Sequence, residues 1–255
     1  MDPTVDTLTP EAQAALARAR ATPLSYGVRA VASPQGRLVV MLGEAHLKLG
    51  HASGLGKDVV ESIALRGVET FQSKRIFSGR VLRWLIYLPR IVLRLVSLGL
   101  VKDSTIVDAK QASHGFTVEI ERADRMPLSL HVAAAYMTVM FSVMFAQLAI
   151  GALGSLIPGV GVLLGWLMGI AMLLQVHLVL LVPALLLRRH PWSWVLHPLT
   201  AILTARDALM ANGTVRMLAD HPQAGPALVI MGRAHLPGFE RELVERFGFR
   251  KVELG

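Results

Sequence analysis

The largest feature of the hydrophobic pattern is a 62-residue stretch, Met126 to Leu187, that contains no Asp, Glu, Lys or Arg and only His131 and His177 as groups able to carry positive charge. A bilayer-spanning helix takes about 20 apolar residues. The stretch therefore predicts two spans, near 133–155 and 162–187, joined by the turn Gly154–Gly161 (GSLIPGVG). Two spans and a short turn return the chain to the side it left, so the segments before and after share one compartment. A third apolar stretch, Val81–Val101 (VLRWLIYLPRIVLRLVSLGLV), differs in keeping three arginines. At helical spacing Arg83, Arg90 and Arg94 fall within about 40° of one another, beside Tyr87 and Ser97, a narrow basic stripe of the kind that lies in a membrane surface. Pro89 would kink it; a helix of the soluble domain or a third span would fit the same pattern.

Around these apolar segments the periodicity is that of a globular domain. Thr9 is an N-cap with Pro10 at the first helical position of a short alanine-rich helix. Leu38–Leu42 (LVVML), Gly67–Phe71 (GVETF) and Ala227–Met231 (ALVIM) are short apolar runs suited to buried parallel strands, and Phe116–Glu121 (FTVEIE) is a further strand candidate. Helical stretches over Lys57–Leu65 and Thr105–His114 lie between them. The alternation of strand and helix predicts an α/β sheet. Four parts follow: 1–30 as helix and linker, 31–125 as the first part of the α/β domain, 126–190 as the hairpin and 191–255 as the second part.

Charge refines this picture. There are 26 Lys+Arg against 18 Asp+Glu, a net +8, yet only 17% of residues are charged and 53% are hydrophobic. About 25% charged is usual for soluble domains. Arg122 and Arg125 precede the hairpin, Arg188 and Arg189 follow it, and the turn is uncharged, so the positive-inside rule places both flanks in the cytoplasm. The opening MDPTVD has neither a basic nor an apolar region of a signal peptide. Tyr136, Trp166, Trp192 and Trp194 lie near span ends, where amphipathic rings favour the interface. An integral membrane protein, in bacteria one of the inner membrane, with a lipid bilayer as partner is expected. The arginines flank apolar segments and are not interleaved with stacking aromatics, so nucleic acid is not indicated. The absence of cysteine removes disulfides, thiolate metal sites and cysteine nucleophiles. No phosphate-binding loop, dinucleotide fingerprint, nucleophile elbow or H-E-x-x-H pair occurs.

One motif appears twice. Val39–Leu47 reads VVMLGEAHL and Leu228–Leu236 reads LVIMGRAHL. A strand followed by G-x-A-H puts an imidazole just beyond the strand's carboxyl end, where open α/β sheets bind ligands. Gly43 and Gly232 would let the chain turn there and a ligand approach the backbone. His46 and His235 converge if their strands are neighbours or are related by a pseudo-twofold axis. Glu44 and Glu69 add carboxylates, and a His/His/carboxylate set with an open position is what a hydrolytic metal ion needs. A lone histidine is more often a hydrogen-bonded structural residue, and Glu44 is equally read as a surface glutamate, since Arg233 is its counterpart in the second motif.

The paired G-x-x-H motifs, with the ending GRAHLPGFERELVERFGFRKVEL, resemble the TraB/PrgY/Tiki family. Gly67–Glu69 resembles that family's strand ending in glutamate, Ala123-Asp124-Arg125 with PLSLHVA its "DR…T…R-A" segment, and Thr204–Ala211 (TARDALMA) its "ERD…MA" helix, with Ala205 in place of the glutamate. The resemblance covers roughly 36–126 and 200–255 and implies a fold related to the erythromycin esterase and ChaN-like group. It further implies a divalent-metal-dependent peptidase in the Tiki branch and interference with a peptide signal at the membrane for PrgY. By position, His46, His235 and Glu69 would hold manganese, cobalt or zinc, with Arg206, Asp207 and Arg125 as supporting polar residues. Glu44 would be a general base, and Arg206 or Arg233 would steady an anionic intermediate. The expected function is a membrane-anchored metal-dependent hydrolase or peptidase acting on a peptide or small substrate. A non-catalytic membrane protein that binds or sequesters such a ligand is the alternative.

Overall fold

The computed structural model describes residues 5–44, 54–69, 105–121, 127–154, 156–157, 159–174, 186 and 193–254. His46, His51, Arg125 and the stretch 81–101 lie outside the described residues. The chain divides into two compact units, one of Met1–Ser73, Tyr87–Asp124 and Arg206–Gly255, the other of Lys74–Ile86 and Arg125–Ala205. The second unit thus runs on to Ala205, beyond the expected end of the hairpin near 190.

The first unit is a mixed α/β domain. Its strands are β1 (Tyr26–Ala32), β2 (Leu38–Glu44), β3 (Leu65–Val68), β4 (Phe116–Glu119), β5 (Ala227–Gly232) and β6 (Arg250–Val252), in the order β4-β3-β5-β2-β1-β6. β4, β3, β5 and β2 are parallel; β2 and β5 match their expected apolar runs, whereas β3 starts at Leu65, inside the expected helix 57–65 and two residues before the expected run at Gly67. β1 pairs antiparallel with β2 and β6 antiparallel with β1, which makes the sheet mixed. β2 and β5 are buried along their whole length because helices cover both faces.

Side chains alternate between those faces. Leu38, Val40, Leu42, Leu228, Ile230 and Val68 pack under α1 (Pro10–Arg20), α2 (Leu55–Ser62) and α3 (Thr105–Gln111). Val39, Met41, Leu65, Ala227, Val229 and Met231 pack under α7 (Thr200–Asp220) and α8 (Leu236–Phe247). α1 starts as its sequence predicts: Thr9 accepts from the Ala12 N–H at 3.2 Å and Pro10 occupies the first turn. α8 ends on Gly248, whose φ of 71° is the left-handed cap that favours glycine. The helix after β2 lies on one face and the helix after β5 on the other. Between β2 and β5 the connections thus leave to opposite faces, the switch point at whose carboxyl edge ligands bind in open α/β folds.

The second unit contains α4 (Leu128–Gly154), α5 (Gly161–Leu174) and α6 (Ser193–Leu196). α4 has 27 residues, about 40 Å of helix, and among the described residues it alone is long and apolar enough to cross a membrane. It begins at Leu128, five residues before the expected span. α5 is apolar but shorter over the described residues. The two run antiparallel with glycine-mediated approach: a Cβ on Gly154 would lie 2.2 Å from Leu164, and one on Gly151 would lie 3.5 Å from Met168. Large apolar side chains, including Val139, Phe145, Ile150, Leu163, Trp166 and Ile170, are exposed along them.

Candidate functional site

The two G-x-A-H strands are neighbours, paired in parallel, which is the first of the two arrangements that bring their ends together. They are staggered by one residue: Gly43 pairs with Met231, and Glu44 with Gly232. One residue of stagger reverses the face a side chain points to. Motif positions that match in sequence therefore differ in environment.

Beyond the strand ends the ladder continues. The Glu69 N–H donates to the Ile230 carbonyl at 2.9 Å and the Ile120 N–H to the Val68 carbonyl at 3.2 Å. Alternation from Leu65 through Gly67 directs Glu69 to the α7 face. α7 lies unusually close to this edge, since a Cβ on Gly213 would fall 1.8 Å from the Ile120 carbonyl oxygen. Two helical turns earlier on the same side stands Arg206. Its Nε donates to Glu121 Oε1 at 2.6 Å, and its Nη2 donates to Glu121 Oε2 at 2.8 Å and to Glu69 Oε1 at 2.5 Å. Glu69 Oε2 in turn accepts from the Gly232 N–H at 2.5 Å.

The single 3-10 turn Arg233–His235 after β5 brings His235 into the same cluster. Its Nδ1 lies 2.6 Å from Asp207 Oδ1, and its Nε2 stands 3.7 Å from Glu69 Oε1 and 3.5 Å from Arg206 Nη1. Asp207 Oδ2 occupies the space of a side chain at Gly238, where a Cβ would lie 1.8 Å away. The glycine of G-x-x-H-x-x-G thus serves the carboxylate that orients the motif's histidine.

All of these groups are buried, and their proton affinities follow from that. Burial alone would push the Glu69 carboxyl up, but Arg206, His235 and the Gly232 N–H outweigh it and hold it down from 4.5 to about 2. Burial pushes Glu121 and Asp207 up despite their partners Arg206 and His235. Burial would lower His235, yet Glu69 and Asp207 outweigh it and raise the imidazole. Burial likewise disfavours the Arg206 cation, and Glu121 and Glu69 more than offset it. In metal-free protein the ionised Glu69 stabilises the fold above pH 4.5, and that contribution is lost as pH falls towards 2. Glu121 and Asp207 act in the opposite sense, and Glu69 is itself one cause of their shifts, so Glu69→Gln reports the coupled set. Urea unfolding should show wild type more stable than Glu69→Gln at neutral pH, by a margin that narrows between pH 4.5 and 2.

Other residues expected at the site lie elsewhere. Glu44 is buried on the opposite sheet face, where its Oε2 accepts from the Thr105 N–H at the start of α3 at 2.8 Å. It is neither a surface glutamate nor beside His235, because alternation along β2 turns it with Leu42 and Val40 toward the first-face core. Gly43 is within β2 and not at a turn; a Cβ there would meet Leu236 at 2.4 Å and the Arg233 backbone at 3.0 Å, so protein fills the space expected for a ligand. Gly232 has the extended φ of −62° and contributes its N–H to Glu69. Arg233 is exposed and donates to the Pro23 carbonyl, outside the cluster. Arg206 is central, but its guanidinium neutralises two carboxylates. Glu121 and Gly213 are site residues that motif reading did not find.

Asp207 on Nδ1 fixes the His235 ring, as an orienting carboxylate does for a metal-bound histidine, and turns Nε2 towards Glu69 Oε1 and Arg206 Nη1. Two ligands at about 2.1 Å from one ion and at the tetrahedral angle stand about 3.4 Å apart, close to the 3.7 Å between His235 Nε2 and Glu69 Oε1. Among the described residues three carboxylates, Glu69, Glu121 and Asp207, face the Arg206 guanidinium and the His235 imidazole. Among the described residues no group of three or more His, Asp or Glu side chains is arranged to hold a metal ion; His46, expected as a third ligand, lies outside them. No known protein family, curated protein or solved structure matches the chain.

Proposed function

We propose that the chain is a membrane-anchored hydrolase similar to the TraB/PrgY/Tiki family, with a ChaN-like α/β domain interrupted by a transmembrane hairpin. One observation carries the reading: Asp207 holds the His235 ring through Nδ1 and so directs its Nε2 to within 3.7 Å of Glu69 Oε1. His46, His235 and Glu69 would hold manganese, cobalt or zinc, and such an ion would lower the pKa of a bound water so that hydroxide is available near neutral pH for hydrolysis of a peptide or ester. The chain's own residues do the rest. Asp207 fixes the tautomer and orientation of His235, Arg206 keeps Glu69 ionised, and the Gly232 N–H aims its carboxylate. The apolar length and exposed faces of α4 and α5 support bilayer insertion, with the basic residues beside the hairpin placing the α/β domain in the cytoplasm.

The His46→Ala/His235→Ala double variant should lose hydrolysis of peptide and ester libraries that the wild type cleaves in detergent; undiminished turnover contradicts the reading. A second reading, that the pocket binds or sequesters a peptide or small ligand without consuming it, is favoured by the engagement of Arg206 with Glu69 and Glu121 and by the exposure of Arg233. Neither arginine then steadies an anionic intermediate. Ligand recovered intact after prolonged incubation with wild-type protein distinguishes the two.

A further inference from the structure

The Glu121–Arg206 pair has a singular place in the chain. Glu121 lies three residues before the α/β unit gives way to the apolar unit after Asp124, and Arg206 is the first residue of the α/β unit after the apolar unit ends at Ala205. The ion pair therefore ties together the exit and the return of the inserted segment, with contacts of 2.6 and 2.8 Å. α7 runs without a break from Thr200 to Asp220 across that return point. It is pinned at Gly213 against the Ile120 carbonyl, with Arg206 two turns nearer the inserted segment. A helix held at one point and displaced at its end acts as a lever. Displacement at Thr200–Ala205 moves Arg206 against Glu121, and from there the path runs through Glu69 to the Gly232 N–H and on to the turn that carries His235.

We infer that the membrane regulates the candidate site through this pair: a change in the tilt of the inserted helices, set by bilayer thickness, shifts Arg206 between gripping and releasing Glu69 and so tightens or loosens the end of β5. Helices meet a thicker or thinner bilayer by changing tilt. The inference rests on the proposed insertion of α4 and α5 in a bilayer. It does not rest on turnover, so a chain that hydrolyses nothing still answers the question.

The full-length protein would be reconstituted in phosphatidylcholine vesicles of 14-, 18- and 22-carbon acyl chains, floated to establish insertion, and followed by hydrogen exchange of peptides covering 227–238. The Gly232 amide reports directly, since its hydrogen bond is the one at stake. Wild-type exchange in this segment should differ about fivefold between the thinnest and thickest bilayers, the lower end of ordinary allosteric coupling. Glu121→Gln, which keeps the shape of the pair and removes its charge, should flatten the dependence. Equal exchange in all three bilayers overturns the inference, as does a Glu121→Gln protein that keeps the wild-type dependence. Failure to float removes the bilayer reading and the coupling with it. Should Glu121→Gln fail to fold, the wild-type thickness series alone decides.

Discussion

Arg206→Met should lower the stability of the α/β unit by about 3–5 kcal/mol, the cost of removing one partner from a buried charge network. Arg206 is 6% exposed and is the one cation among Glu69, Glu121 and Asp207. Its removal leaves three carboxylates at the carboxyl edge of the sheet with the His235 imidazole as their remaining basic partner among the described residues, and some must take up protons for the fold to persist. Urea unfolding of detergent-solubilised protein, monitored by circular dichroism, measures the loss. The triple variant Arg206→Met/Glu69→Gln/Glu121→Gln should recover much of it, because a neutral set of similar volume has no uncompensated charge. A single variant as stable as wild type would mean that the cluster is more solvated than its burial indicates.

Gly213→Ala carries the second large effect, at the upper end of the about 1–3 kcal/mol usual for overpacking. The added methyl would lie 1.8 Å from a backbone oxygen, Ile120 O, which cannot swing aside as a side chain can. Either α7 lifts from the sheet or the end of β4 bends, and both move Arg206 from Glu121. Gly165→Ala is the control, since a Cβ there meets nothing within 4 Å. Thermal unfolding should separate the two by several degrees, in the direction of a weaker Gly213→Ala protein.

The contrast between what sequence reveals and what it conceals has a physical basis. The central strands β2 and β5 are legible because covering both sheet faces demands unbroken apolar runs, and LVVML and ALVIM have no other good use. The start of α1 is legible because Thr9-Pro10 is a local signal that needs no partner. β1 is not, since in YGVRAVA the half-buried Gly27 and Val28 and the exposed Arg29 interrupt the run between Tyr26 and Ala30. The doubled G-x-A-H motif correctly signals two adjacent strand ends. It misleads on equivalence, because the one-residue stagger between β2 and β5 is set by pairing and leaves no mark in either motif. Glu69, Arg206, Asp207 and His235 are suggested by the family resemblance. Glu121 looks like the tail of a strand, and its partner is 85 positions away. Gly213 and Gly238 are small for reasons found only in the close approach of Ile120 and Asp207.

The central claim is that the cluster around His235 binds a divalent ion, and elemental mass spectrometry of detergent-purified protein tests it most directly. About one manganese, cobalt or zinc ion per chain is expected in the wild type, the stoichiometry of a single His/His/carboxylate site. His46→Ala and His235→Ala should lose it, and Asp207→Asn should bind it about 10- to 100-fold more weakly, as removal of a ligand's orienting partner does. Wild-type protein that holds no ion after reconstitution with all three metals, or holds one that neither histidine substitution removes, would contradict the account.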